Sequence, residues 1–442
     1  MVSCVINISK YIFALLMIIY AAASYRAAGI DDGIRKTKWI IFLQFIIFIN
    51  LSLGNGLLFL AYNDANYFTL YVVELLFLIV FTALYSIIYK NASRLLVNNI
   101  CLLMSIGFIM IGRLDYDKCV KQLIIAIIGS AITFVIPALL KRIKLAENLC
   151  FLYAIISLIL LAAVLFGSKV FGANLSITIG TISIQPAEFA KILFVLFIAS
   201  AFNKSQSMKQ IVIVTVISAL HVIILVLAKD LGAALIFFFA YLILLYLASG
   251  RILLTGAGLL AGAASACLAY KLFAHVRQRV EIWLDPWTDI DGDGYQICQS
   301  LFAIGMGSWF GSGLTLGLPD KIPVAEKDFM FSAITEEFGL IFSLSIILIC
   351  LNNLILIMKI ANRCQQIFYK LLAAGFGVIY GFQIFLTIAG TTKLIPMTGV
   401  TLPLVSYGGS SLLSTLIGFA LVNGIYNMQP LKTDEIMNTD DT

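Results

Sequence analysis

The chain has 442 residues, of which 61% are apolar and 12% charged, with a mean hydropathy of +1.03. Water-soluble domains carry about 25% charged residues, so this composition excludes one and puts the chain in a membrane. The formal net charge of +6 is small and its bases are dispersed, which excludes the basic stripe of a nucleic-acid binder.

Taken in order, apolar segments run over about 8–25, 39–62, 68–89, 97–112, 121–140, 149–167, 187–203, 210–228, 232–250, 252–273, 331–358, 368–390 and 402–426. A bilayer core needs roughly 20 apolar residues per helix, and the thirteen segments are read as thirteen spans of an all-α, polytopic integral membrane protein. The runs are continuous instead of alternating, so an outer-membrane barrel is excluded. The first segment is long enough to span and passes directly into others, unlike a cleavable signal peptide.

Cytoplasmic connections retain lysine and arginine. Alternate connections hold Arg26/Arg35/Lys36/Lys38, Lys90/Arg94, Lys141/Arg142/Lys144, Lys204/Lys209, Arg251 and Lys359/Arg363/Lys370. These belong inside, which puts the N-terminus outside and the acidic tail 431–442 in the cytoplasm. The eight cysteines stand singly without a CxxC, and there are only two histidines, so no zinc or thiol-redox site is readable. His221 reads as a satisfied interior residue, and Glu74 as a buried polar contact.

One long polar stretch, 274–328, interrupts this pattern and faces out, which makes it the place for chemistry beyond the lipid. It holds eight acids against four bases, and three of the four tryptophans (Trp283, Trp287, Trp309) suit a membrane interface. Within it, Asp289-Ile-Asp291-Gly-Asp293-Gly294 matches the first half of a calcium loop. The twelfth position is Ser300 instead of a bidentate glutamate, so that route to calcium lacks half its ligand charge.

The whole run from Arg279 through Trp283, Pro286, Asp289, Gly292, Gly294, Tyr295, Gln296 and Gln299 to Ser300 resembles the large extracellular loop of the SEDS peptidoglycan glycosyltransferases, the FtsW/RodA/SpoVE proteins. Three further stretches are similar to that family: Gln185-Pro-Ala-Glu188-Phe-Ala-Lys191, Lys229-Asp230-Leu-Gly232, and Pro396 through Thr398, Gly399 and Ser406 to Ser411. The resemblance covers roughly 96–428. It implies a ten-helix SEDS core (96–430, large extracellular loop 274–328) preceded by three extra N-terminal transmembrane helices (1–95) and followed by the tail 431–442. It departs from the family where Pro323-Val-Ala-Glu326-Lys327-Asp328-Phe329 replaces a P-E-x-H-T-D-F pattern, and at Thr387 and Lys393.

What the resemblance implies is polymerisation of lipid II at the outer face of the cytoplasmic membrane, for cell shape, division or sporulation. A sugar hydroxyl attacking an anomeric carbon needs a base, and Asp289 occupies the catalytic position. The departing pyrophosphate needs positive charge, for which Arg279 is the first candidate and Lys393 the second; a divalent cation is the other means left open. Glu188 and Lys191, three apart, share a helix face and either pair or line a substrate cavity, as do Asp230, Glu336 and Glu337. Ser406 and Ser410 stand where a hydroxyl can bond either a ligand or a neighbouring helix. The implied partner, besides membrane lipids, is a single-span, class B penicillin-binding transpeptidase. The rival reading is a flippase or transporter for the lipid-linked precursor, since many spans with charge at depth suit a carrier too.

Overall fold

The computed structural model describes residues 2–30, 33–89, 91–142, 147–165, 168–170, 173–179 and 182–428. The acidic tail, Lys90 and Lys144 lie outside them. Its helices are α1 (Val2–Ala28), α2 (Gly33–Tyr62), α3 (Ala65–Ile88), α4 (Arg94–Leu114), α5 (Tyr116–Arg142), α6 (Cys150–Leu165), α7 (Pro186–Lys204), α8 (Met208–Leu227), α9 (Leu231–Ser249), α10 (Ile252–Leu272), α11 (Ala274–Leu284), α12 (Tyr295–Gly307), α13 (Met330–Arg363), α14 (Ile367–Thr391) and α15 (Gly409–Met428).

Each of the thirteen apolar segments contains one of these helices, but among the described residues twelve are long and apolar enough to cross a membrane. The exception is α6, whose 16 residues reach about 24 Å at 1.5 Å per residue, short of a bilayer core of about 30 Å. The expected span 149–167 ends early because the chain turns into three short antiparallel strands, β1 (Ser168–Val170), β2 (Ala173–Ile179) and β3 (Ile182–Ile184). The protein is otherwise all-α among the described residues, as expected, and this small strand element is an addition to that fold. Its sequence alternates isoleucine at 177, 179, 182 and 184, a period of two that a helix cannot use.

Local chemistry sets the helix ends. Asp64, Ser207 and Asp230 cap α3, α8 and α9 by accepting the amides of Asn66, Gln210 and Ala233, and Pro186 opens α7 where no amide is missed. Apolar all round, α4 is buried over its whole membrane-length window, with α1, α2, α3, α5 and α13 packed around it. The first three helices are therefore wrapped into the bundle: Phe13 of α1 packs edge-on against Phe338 of α13, with ring centres 4.9 Å apart. At the opposite extreme, α10 has no buried residue.

The last expected span, 402–426, starts late. α15 begins only at Gly409, because 396–408 is a compact turn with Gly399 at φ +72° and Leu404 at φ +68°. Leu402, Leu404 and Val405 are buried inside the protein there, and hydropathy alone cannot distinguish that from burial in lipid. Further on, α13 is broken at Gly339 (φ 86°, ψ 171°). Four of the backbone groups at this break are met by the loop after α12. Ser312 N and Gly313 N donate to Glu336 O and Glu337 O at 2.9 Å, while Leu340 N and Ile341 N donate to Ser308 O and Trp309 O. Contact at this clamp is so close that a Cβ on Gly339 would stand 2.3 Å from Gly311 N, and one on Gly311 2.2 Å from Glu337 O.

Candidate active site

Antiparallel connectivity brings the N-termini of α5, α7, α9, α13 and α15 to the same end of the bundle as the 274–328 loop and the 396–408 turn. The four stretches singled out in the sequence, up to 226 residues apart, meet there. Gln185 N donates to Ser410 Oγ at 3.0 Å, joining the start of α7 to the start of α15. Gly232, just inside α9, lies so close to the turn that an added Cβ would stand 2.9 Å from Thr398 O.

At the bottom of the site Lys191 Nζ lies 2.8 Å from Glu188 Oε2, with both side chains under 10% exposed. The three-residue spacing thus makes the expected pair. Each partner has a second contact: Ser414 Oγ donates to Glu188 Oε2 at 2.7 Å, and Lys191 Nζ donates to Gln383 Oε1 at 3.0 Å. Gln383 in turn donates to Thr401 O and Ser411 Oγ. The pair forms one wall of a narrow cavity of about 40 Å³ between α7, α14 and α15, lined also by Tyr380, Phe376 and Phe419.

Above it stands Arg279, carried inward by α11. Its Nη1 donates to Met397 O at 3.1 Å, and the carboxylates of Asp230 and Asp328 act on it electrostatically. Burial lowers the affinity of this guanidinium for its proton, an effect the two acids oppose. Burial also raises Asp230, and pushes Asp328 up to about 6 against the pull of Lys327 and Arg279. Arg279 thus faces two buried carboxyl groups, and Lys191 and Lys327 add to its pull on Asp230 and Asp328 respectively.

Asp289 lies in the turn between α11 and α12 and is exposed. Its Oδ2 accepts the amide of Asp293 at 3.0 Å, and the carboxylate sits against Gly292, where a Cβ would come within 2.2 Å of it. Neither Asp291 nor Asp293 is buried; Asp293 Oδ2 accepts from Gln278, the residue preceding Arg279, at 2.6 Å. The acid-bearing turn is thereby tied to the helix that carries Arg279. Trp283, one turn along α11, donates its indole N–H to Lys393 O at 3.1 Å. Lys393, at φ +61°, is beyond the end of α14, where its charge acts on Asp285.

The calcium-loop half-match is not completed. Ser300, at the twelfth position, is buried and bonds Ser332 Oγ at 2.6 Å and Thr391 O at 2.8 Å. Among the described residues no group of three or more His, Cys, Asp or Glu is arranged to hold a metal ion. Ser406 and Ser410 use their oxygens on the backbone amides of Leu402 and Gln185. Glu336 and Glu337 face the clamp behind the loop, where Glu337 pairs with Arg113 at 3.1 Å. His221 bonds Ser157 Oγ and Ile217 O, and Glu74 accepts from Asn55.

Sequence reasoning missed Gln122, Gln383 and the partnership of Asp328 with Arg279. Gln122 of α5 reads both sides of the turn, donating to Ser406 O and accepting from Gly408 N. Amides inside apolar runs were the available signal, since they are costly in lipid unless bonded.

A family model described as a cell cycle protein of the FtsW/RodA/SpoVE type matches residues 92–429. The peptidoglycan glycosyltransferase RodA of Mycobacterium tuberculosis is 35% identical over 371 residues, covering 77% of this chain and 79% of that protein. The probable peptidoglycan glycosyltransferase FtsW of Shewanella sediminis is 33% identical over 291 residues, covering 63% and 71%. Among solved structures, a chain from a peptidoglycan synthase complex that coordinates polymerization and crosslinking aligns with a TM-score of 0.66 at 27% identity. It covers 77% of this chain and 99% of that one.

Proposed function

The chain belongs to the FtsW/RodA/SpoVE family and is a multi-pass membrane peptidoglycan glycosyltransferase of cell-wall synthesis, and from that premise we propose that it polymerises lipid II at the outer face of the cytoplasmic membrane. The observation that carries this reading is the meeting of four distant stretches at one end of the bundle, around Arg279 and next to the Asp289 turn. A carrier has no need of an acid held outside its spans, and the similar proteins are polymerising enzymes.

In this reading the acceptor hydroxyl attacks the anomeric carbon of the donor, its proton passes to Asp289, and the bond to the lipid pyrophosphate breaks. General-base assistance of this kind contributes about 10²–10⁴-fold. Asp289 stays open to an incoming sugar because its own hydrogen bond comes from the backbone, on one oxygen. Arg279, with five donors of which one goes to Met397 O, offers the leaving oxygen positive charge. Glu188 and Lys191 line the cavity below, and Lys393, beyond the end of α14, adds positive charge on the Asp285 side of the loop.

The orientation that follows from the lysine and arginine pattern is N-terminus outside and C-terminus cytoplasmic. A single-span, class B penicillin-binding transpeptidase is the proposed partner. The similar chain from a complex that couples polymerization to crosslinking supports it. The first three helices, which precede the region matched by the family model, form an extension of the ten-helix core. Purified protein with its transpeptidase partner, given lipid II in detergent, should make long glycan, and Asp289→Ala should abolish it without loss of folded protein. Full polymer yield from Asp289→Ala, or lipid movement across vesicles with no polymer from the wild type, overturns the proposal. Co-purification of the native complex names the process by naming the transpeptidase.

A further inference from the structure

The extension contributes more than apolar packing. Tyr20 Oη and Ser24 Oγ of α1 both donate to Asn99 Oδ1 of α4, at 3.0 and 3.1 Å. An amide oxygen has two lone pairs, so both are taken. Asn99 Nδ2 then donates to Asn353 Oδ1 of α13 at 2.9 Å, and Asn353 Nδ2 donates to Tyr380 Oη of α14 at 3.2 Å. Asn352 Nδ2 closes a side branch on Ser24 Oγ at 3.1 Å. Every residue in this chain of bonds is buried.

Its far end is informative. Tyr380 is one of the residues lining the Glu188–Lys191 cavity and packs edge-on against Phe419 in the same wall. It lies one helical turn before Gln383, which accepts from Lys191. Buried amides are costly unless fully bonded, and a helix recruited only to fill space on α4 and α13 could do so with leucine. Here α1 supplies the two hydroxyls that decide which way the Asn99 amide points. Turned the other way, Asn99 would present an oxygen to the Asn353 oxygen, and the Tyr380 hydroxyl would lose its fixed donor.

We propose that Tyr20 and Ser24 are positioning residues for the reaction: by filling the Asn99 oxygen they hold a buried amide chain in the one orientation that fixes Tyr380 in the wall of the Glu188–Lys191 cavity. The inference rests on the reading that this cavity serves polymerisation. It gives the three-helix extension a task in catalysis, carried by α1 alone.

The test uses the full-length protein in detergent with lipid II, comparing Tyr20→Phe, Ser24→Ala, Tyr380→Phe and their doubles. Residues in one hydrogen-bonded network are non-additive, whereas independent sites multiply. The expected result is that Tyr20→Phe/Tyr380→Phe loses no more in kcat/KM than the worse single variant, and that Ser24→Thr, which keeps the hydroxyl, restores what Ser24→Ala loses. Phe13→Leu loosens α1 against Phe338 outside the chain of bonds and serves as the packing control; it lowers the unfolding midpoint but multiplies with Tyr380→Phe. Multiplicative losses for Tyr20→Phe and Tyr380→Phe, or losses in every variant that simply track the unfolding midpoint, overturn the proposal. Lys191→Met separates the two layers. If it retains full activity, the cavity reading fails and the proposal with it; if it is inactive while Tyr20 and Tyr380 multiply, the proposal fails alone.

Discussion

Removing the positive half of the buried pair by Lys191→Met tests the energetics of the site most directly. At the observed 2.8 Å separation, two unit charges attract by about 6 kcal/mol at an effective dielectric of about 20, and this offsets desolvation of several kcal/mol per ion. Losing one partner strands Glu188 with the Ser414 hydroxyl as its remaining donor, and leaves Gln383 Oε1 without the ammonium. The expected destabilisation is about 3–5 kcal/mol, the range for breaking a buried pair. Glu188→Gln/Lys191→Met removes both charges and keeps the shape, so it should return to within about 1–2 kcal/mol of the wild type. Equilibrium unfolding of the three purified proteins in one detergent at neutral pH measures the differences. A double variant as unstable as Lys191→Met would show that lost packing, not a stranded charge, sets the cost. Both variants should lose glycan synthesis if the pair lines the substrate cavity, so the double separates stability from activity.

Three further outcomes follow from the geometry. Asp289→Asn should lower glycan synthesis by about 10²-fold or more while Asp291→Asn stays near wild type, measured with lipid II and the purified protein; equal losses would remove the special role of position 289. Gly339→Ala should sharply reduce the yield of folded protein, because φ +86° costs an L-residue about 1–2 kcal/mol and the Cβ would overlap Gly311 N; a monodisperse, wild-type-like sample refutes the clamp. Asp328 binds its proton more tightly folded, at about 6, than in an unfolded chain, so its contribution to stability falls as pH rises from about 4 to about 6 and is flat above. The difference in unfolding free energy between wild type and Asp328→Asn should therefore change by about 3 kcal/mol across that window; a constant difference would mean that burial does not raise the group.

The positions of the spans were readable to within one, twelve for the thirteen expected, because lipid imposes one rule on every span and each apolar run holds a helix. Where burial is by protein instead of lipid, the rule loses its meaning. Leu402, Leu404 and Val405 look like the start of a span but fold into a turn, and nothing in the hydropathy marks the break at Gly339, which depends on carbonyls being met by a loop some 25 residues upstream. The pairing of Glu188 with Lys191 was legible because it is local. Arg279 was legible as a cation, whereas its placement against Met397 O, 118 residues away, and between two acids depends on contacts that no spacing encodes. The same holds for the amide chain from α1: Asn99 and Asn353 are visible exceptions in apolar runs, but their partners are 254 residues apart.

The mending of α13 by the loop also governs how the Asp289 turn can travel. Four backbone bonds fasten 308–313 across the break, and Ser300 bolts the middle of α12 to Ser332 and to Thr391 O. α12 is consequently a fixed bracket that can neither slide along its support nor lift away from it. The Asp289 turn at the bracket's tip is itself held by Cys298 on Pro286 O and by Gln278 on Asp293, so an incoming saccharide meets an acid already set in place.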